Sequence, residues 1–248
     1  MDIFYEIFND LPRGGPGSSA FTRKAFELMT GLPHEPQILD IGCGKGIQTL
    51  ELTRISGGHL TGLDNHQPFL DELSLKASDL GLRDKIETRL GSMFSLDFEP
   101  ESFDVLWSEG AIYIMGFEAG LKDWCRFLKP GGYIAVSELS WFKTEPKPPN
   151  ELEAFWQREY PGIKSIDENL MIIEKSGYRV IGHFNLPDEV WWESLYDPML
   201  NRLQEMERKY QNDPKNLEII KIQYQEVDFY RKYSDWYGYT FYVMQKND

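Results

Sequence analysis

Asp40-Ile41-Gly42-Cys43-Gly44-Lys45-Gly46 is the stretch that decides how this chain is read. Gln37–Ile41 before it predicts a short buried strand, and a helix is expected from about Gly46 to Arg54 after it. A strand therefore ends on an acid, turns on glycines and enters a helix. Glycines adopt positive φ and let a ligand come close to the backbone. The helix start offers unpaired N–H groups to a polar or anionic ligand group. The spacing is G-x-G-x-G, and Ile47 stands where a dinucleotide fingerprint requires its third glycine. A Walker loop is excluded too, because the Gly-Lys-Ser/Thr ending is missing.

Working outward, strands alternate with helices. His59–Leu63, Lys85–Leu90, Ser102–Trp107 and Tyr133–Ser137 predict strands two to five. Pro68–Leu80 predicts a helix closed by Gly81, and Phe117–Leu128 another, ended by Lys129-Pro130-Gly131-Gly132. This rhythm implies parallel βαβ units with right-handed crossovers, an α/β fold. Upstream lie an aromatic helix-like piece, the loop Pro12–Gly17, and a helix capped by Ser18 or Ser19 and running to about Met29. Downstream are a stiff Pro146–Pro149 linker, two helices over 150–176, a sixth strand at Tyr178–Asn185, a helical segment over 188–236 broken at Asp213-Pro214, and a seventh strand at Tyr239–Gln245. The chain is read as one domain over 1–248, with a helical cap at 1–30 and a helical insertion at 188–236.

The 248 residues include 41% hydrophobic side chains, enough for a real core, and the net charge is −14. That surplus of carboxylates opposes binding of phosphate backbones, so nucleic acid is not an expected partner. Cys43 and Cys125 form no CxxC pair, and no Cys/His cluster has zinc spacing, so no metal site is expected. Reduced thiols, an acidic N-terminus without a leader-like apolar run, and no membrane-spanning stretch predict a cytoplasmic protein with no membrane partner.

Two further pieces complete a nucleoside site. Asp64 ends the second strand, where a carboxylate accepts both hydroxyls of a ribose; the bland alternative is a turn aspartate. Gly91-Ser92-Met93-Phe94 follows the third strand, where Ser92 and the Met93 backbone meet an adenine edge and Met93 or Phe94 its face; the alternative is core packing. With these in view, Asp40–Gly46 resembles motif I of the class I, S-adenosylmethionine-dependent methyltransferases. Phe103–Ser108 resembles their fourth-strand motif, and Leu128–Gly132 their turn before strand five. Gly15–Ser18 and Trp107–Tyr113 are similar to a bacterial and archaeal subgroup that acts on small molecules. The resemblance implies a Rossmann-like seven-stranded sheet in the order 3-2-1-4-5-7-6 with strand seven antiparallel. It also implies S-adenosylmethionine as cofactor, held by Asp40, Gly42, Cys43, Gly44, Gly46, Asp64, Asn65, Ser92, Met93 and Ser108.

Methyl transfer from a sulfonium is an in-line displacement in which the protein mainly positions the partners. Glu109 and Tyr113, just after strand four, are the catalytic candidates; the alternatives are a loop or cofactor-contacting acid and a packing tyrosine. Tyr5, Trp141, Trp191 and Trp192 are candidates for a roof suited to an amine or a planar apolar acceptor. His34, His59, His66 and His183 have no triad or metal spacing and are read as structural. The devices of nucleobase methylation, Asn/Asp-Pro-Pro-Tyr/Phe after strand four or a Pro-Cys pair, are missing, which favours a small-molecule acceptor. The insertion is read as a lid, an acceptor wall or a homodimer surface. A catalytically silent, cofactor-binding regulator and a nicotinamide oxidoreductase are the rival readings.

Overall fold

In the computed structural model, which describes residues 3–247, the alternation becomes a single twisted sheet. Met1, Asp2 and Asp248, counted above in the 1–248 domain, lie outside the described residues. The strands are β1 (Gln37–Ile41), β2 (His59–Asp64), β3 (Ile86–Leu90), β4 (Phe103–Glu109), β5 (Leu128–Trp141), β6 (Lys164–Ser165), β7 (Tyr178–Asn185) and β8 (Tyr237–Lys246). Their order is β3-β2-β1-β4-β5-β8-β7, with β6 pairing the far end of β5. β8 runs antiparallel to both of its neighbours, β5 and β7. Apart from the two-residue β6, this is the predicted order, with the antiparallel strand counted eighth.

The helices are α1 (Ile3–Asn9), α2 (Ser19–Phe26), α3 (Ile47–Ser56), α4 (Gln67–Asp79), α5 (Phe117–Trp124), α6 (Asn150–Glu159), α7 (Ile166–Lys175), α8 (Asp188–Trp191), α9 (Asp197–Lys209) and α10 (Pro214–Tyr233). β1 and β4 are buried along nearly their whole length because helices cover both faces of a parallel sheet, hence their continuous apolar runs. Helix α4 ends in a Schellman motif: Leu82 N–H donates to Ala77 O at 2.8 Å and Gly81 N–H to Ser78 O at 3.0 Å. Gly81 takes the left-handed conformation that this ending requires.

Several boundaries differ from expectation. The helix read to Leu128 tightens to a 3-10 turn after Trp124, and β5 already begins at Leu128. The Lys129–Gly132 turn is thus a bulge within a ladder whose register jumps between Phe103↔Leu128 and Val105↔Tyr133. Strand β4 reaches Glu109, and α2 stops at Phe26, three residues short of Met29. Ser18 takes the extended N-cap conformation of α2 without a side-chain cap. The break at Asp213-Pro214 is a helix start, with Asp213 accepting from Asn216 N–H at 3.2 Å.

The 188–233 helices, joined after α8 by a π-turn over residues 192–196, pack with α1 and α6. Their core is separate from those on the two faces of the sheet and is built on Trp191, Tyr196, Leu203, Met206 and Val227. Trp191 stacks on Tyr230 with ring centroids 4.3 Å apart. Glu6 accepts from Tyr210 Oη at 2.7 Å, and Arg202 pairs with Asp10 at 3.0 Å, so the N-terminal segment is tied to α9. Residues of α1 and of the insertion line the space at the carboxyl ends of the central strands.

Candidate functional site

At those strand ends lies a hollow of about 200 Å³. Its floor is the turn after β1. Gly42, Gly44 and Gly46 all have positive φ, between 54° and 73°, where a Cβ would collide with its own carbonyl. A Cβ on Gly44 would meet nothing within 4 Å, so the backbone there faces open space. The turn is braced from behind: Gln48 Nε2 donates to Cys43 O at 2.9 Å, and Thr49 Oγ1 donates to Asp40 Oδ2 at 2.6 Å.

Asp64, mostly buried at the end of β2, accepts from Gly44 N–H and His66 N–H, each at 2.9 Å. Burial raises its carboxyl above the usual range, and those two donors oppose the rise. Asn65 stands at the mouth, where its Oδ1 accepts from Tyr5 Oη at 3.2 Å; the Tyr5 ring stacks on His66 with centroids 4.1 Å apart. Ser92, Met93 and Phe94 form the opposite wall. Lys45 donates to the carbonyls of Asn9 and Leu11 and so fastens the end of α1 onto the glycine turn.

The structure brings Gly42, Cys43, Gly44, Gly46, Asp64, Asn65, Ser92, Met93, Glu109 and Tyr113 around this hollow. Asp40 and Ser108, read above as cofactor contacts, are not among its lining residues. Both are fully buried. Asp40 serves Thr49, and burial pushes its carboxyl up to about 7. Ser108 donates to Ile41 O at 2.9 Å and ties β4 to the end of β1.

Glu109 has both carboxylate oxygens engaged. Oε1 accepts from Thr22 Oγ1 at 2.7 Å and Trp107 Nε1 at 2.9 Å, and Oε2 pairs with Arg13 at 2.5 Å. Both partners of this ion pair have almost fully buried side chains. The arrangement holds the Pro12–Gly17 loop across the hollow. The local sequence gave no sign of the Arg13 link, since the partners are 96 positions apart.

A second hollow of about 310 Å³ adjoins the first. The two share Gly14, Gly15, Pro16 and Tyr113 as lining residues. Trp191 lines the second, Tyr5 lines the first, and Trp141 and Trp192 line neither. At the junction Tyr113 meets Tyr160 edge-on at 5.7 Å, and Tyr160 Oη donates to Glu138 Oε1 at 2.6 Å. Glu138 is buried, its other oxygen has no partner among the described residues, and burial pushes its carboxyl up to about 8. Sequence reasoning missed this pair, because Glu138 sits between serines that read as solvent-facing and Tyr160 lies in a loop after α6.

The raised acid has a measurable consequence. Folded, Glu138 keeps its proton up to about pH 8, whereas the unfolded chain releases it near 4.5. The stability carried by the protonated acid is complete below about pH 4.5 and is lost as pH climbs towards 8. Glu138→Gln cannot ionise, and its oxygen can still accept from Tyr160. The difference in unfolding free energy, variant minus wild type, is expected to rise by about 4 kcal/mol between pH 5 and 8.5 in urea titrations. A flat difference would show that Glu138 ionises in the folded protein as it does in water.

Among the described residues, no helix is long and apolar enough to cross a membrane, and no group of three or more His, Cys, Asp or Glu side chains could hold a metal ion.

Comparison with known proteins agrees with this geometry. Residues 38–132 match a family model described as a methyltransferase domain. Sterol 24-C-methyltransferase ERG6A of Gibberella zeae is 27% identical over 204 residues, which cover 77% of this chain and 52% of the relative. The chain spans about half the length of the curated sterol methyltransferases it matches. Among solved structures, a SAM-dependent methyltransferase from Geobacter sulfurreducens in complex with S-adenosyl-L-homocysteine has a TM-score of 0.82 at 20% identity, covering 100% of this chain and 98% of its own. YjhP of E. coli reaches 0.85 at 18% identity with full coverage of both chains. At these identities the structural likeness establishes a common fold.

Proposed function

We infer from the matched domain and the shared fold that this chain is a class I, S-adenosylmethionine-dependent methyltransferase, and we propose that it methylates a small molecule seated in the second hollow. The observation that carries the reading is the pairing of two adjoining hollows that share four lining residues. The first fits the cofactor. The face of Gly44 is open where any larger residue would intrude, Asp64 presents a carboxylate at the right strand end, and Met93 and Phe94 offer an apolar wall. Gly42, Gly44 and Gly46 would hold the amino-acid end, Asp64 and Asn65 the ribose, and Ser92 and Met93 the adenine. When bound, S-adenosylmethionine supplies an electrophilic methyl group on sulfur.

The chain's own residues supply position and dryness. Arg13 and Glu109 hold the 12–17 loop as a wall of both hollows, and Tyr113 stands where they meet. The roof of α1 and the 188–233 helices keeps water from the acceptor, which favours an in-line approach held by proximity and orientation. A sterol is the acceptor named for several relatives. A second hollow lined by both aromatic rings and carboxyls supports a smaller and more polar guest here.

The test is a thermal-shift series with S-adenosylmethionine, S-adenosylhomocysteine and NAD, followed by an assay for S-adenosylhomocysteine release with metabolite extracts. Stabilisation by the two adenosyl compounds, and release of the product, are expected. Stabilisation by NAD alone would overturn the reading. Tight cofactor binding with no turnover on any extract would favour the regulator.

A further inference from the structure

The second hollow has a chemistry of its own. Trp156, Tyr160, Trp191 and Tyr239 give it aromatic walls, while Glu159 and Glu226 bring carboxyl groups to it. No Lys, Arg or His is among its described lining residues. Glu159 already has a cationic partner, Arg158, at 2.6 Å. Glu226 does not: it accepts from Tyr196 Oη at 3.1 Å, and among the described residues no Lys or Arg pairs with it. A carboxyl drawn from water into an aromatic enclosure, with no counter-charge, is costly to ionise. Accordingly, burial pushes Glu226 up to about 7.

We propose that this hollow recognises a small primary or secondary amine with an apolar body, its ammonium group held between Glu226 and the faces of the surrounding rings. The inference rests on the methyltransferase reading for its purpose but on the second hollow alone for its chemistry. A cation restores to Glu226 the charge partner that the fold withholds, and aromatic faces attract cations through their quadrupoles. An anionic acceptor would meet two carboxyls and no positive side chain in the lining, so phosphate- and carboxylate-bearing acceptors are disfavoured. A neutral alcohol would gain the apolar contacts but leave Glu226 without a counter-charge. A carboxylate facing the ammonium also receives the proton that nitrogen must shed before its lone pair is nucleophilic.

The experiment uses the full chain in phosphate buffer, saturated with S-adenosylhomocysteine, and three probes with one apolar body: 2-phenylethylamine, 2-phenylethanol and 3-phenylpropionate. The amine is expected to raise Tm in a concentration-dependent way, with the alcohol and the acid giving at least tenfold weaker apparent affinity. Glu226→Gln keeps an oxygen for Tyr196 and is expected to weaken the amine at least tenfold while leaving the S-adenosylhomocysteine shift intact. Equal or stronger binding of the alcohol or acid, no response to any probe, or unaltered amine binding by Glu226→Gln would overturn the proposal. Loss of the S-adenosylhomocysteine shift in the wild-type protein would instead count against the methyltransferase reading. That shift retained, with amine selectivity absent, counts against the amine alone.

Discussion

Replacing Asp64 with alanine is expected to weaken S-adenosylhomocysteine binding by about 100-fold or more while the protein stays folded. Two ribose hydroxyls donating to a carboxylate are each worth about 1.5–3 kcal/mol, and tenfold in affinity corresponds to about 1.4 kcal/mol. A second loss adds to the first. Asp64 also accepts from Gly44 N–H at 2.9 Å, so its removal frees the glycine turn that forms the floor of the same hollow. The fold should survive because the side chain belongs to no apolar cluster and is ionised only against burial, which raises its proton affinity. Titration calorimetry for affinity and thermal melting for stability separate the two effects. An alanine variant with wild-type affinity would remove Asp64 from the cofactor site.

Gly46→Ala is expected to destabilise the protein by about 4 kcal/mol, lowering Tm by about 10 °C. The added Cβ would lie 2.2 Å from Leu73 Cδ1 and under 3 Å from two other carbons of that side chain, which is fully buried within α4. Positive φ of 72° adds the cost of a left-handed conformation. Gly44→Ala is the matched control: its φ is also positive, at 54°, but the new methyl meets no atom within 4 Å. That variant is expected to lose only about 1–2 kcal/mol of stability while weakening cofactor binding, because the methyl enters the space left for the ligand. Equal melting temperatures for the two variants would show that contact with Leu73 is not what fixes glycine at position 46.

The contrast between these glycines marks what could be read in advance. The turn after β1 announces itself because strand, glycines and helix are contiguous. Asp64 could be placed because parallel strands end on one side of a sheet. β7 was legible to its end residues, Tyr178 and Asn185, because glycine precedes it and proline follows soon after. β5 was cut short because Glu138 and Ser140 look like solvent-facing positions. In fact both are buried, and Ser140 Oγ lies 2.9 Å from Tyr242 Oη and 3.2 Å from Asn169 Nδ2. A polar residue satisfied by partners from distant strands and helices leaves no mark in local periodicity. The same holds for Arg13 with Glu109 and for Tyr160 with Glu138. Asp40 was read for its place in the motif, whereas its bond to Thr49, which donates to Oδ2 from nine positions on, left no local sign.

Because Gly14, Gly15, Pro16 and Tyr113 belong to both hollows, a guest in either one would press on a shared partition. Whatever factor the nucleoside imposes on the affinity of the other guest, that guest must impose on the nucleoside in equal measure. Dissociation constants measured one compound at a time will then misstate the ternary complex, and the discrepancy itself gauges how stiffly Arg13 and Glu109 hold the partition.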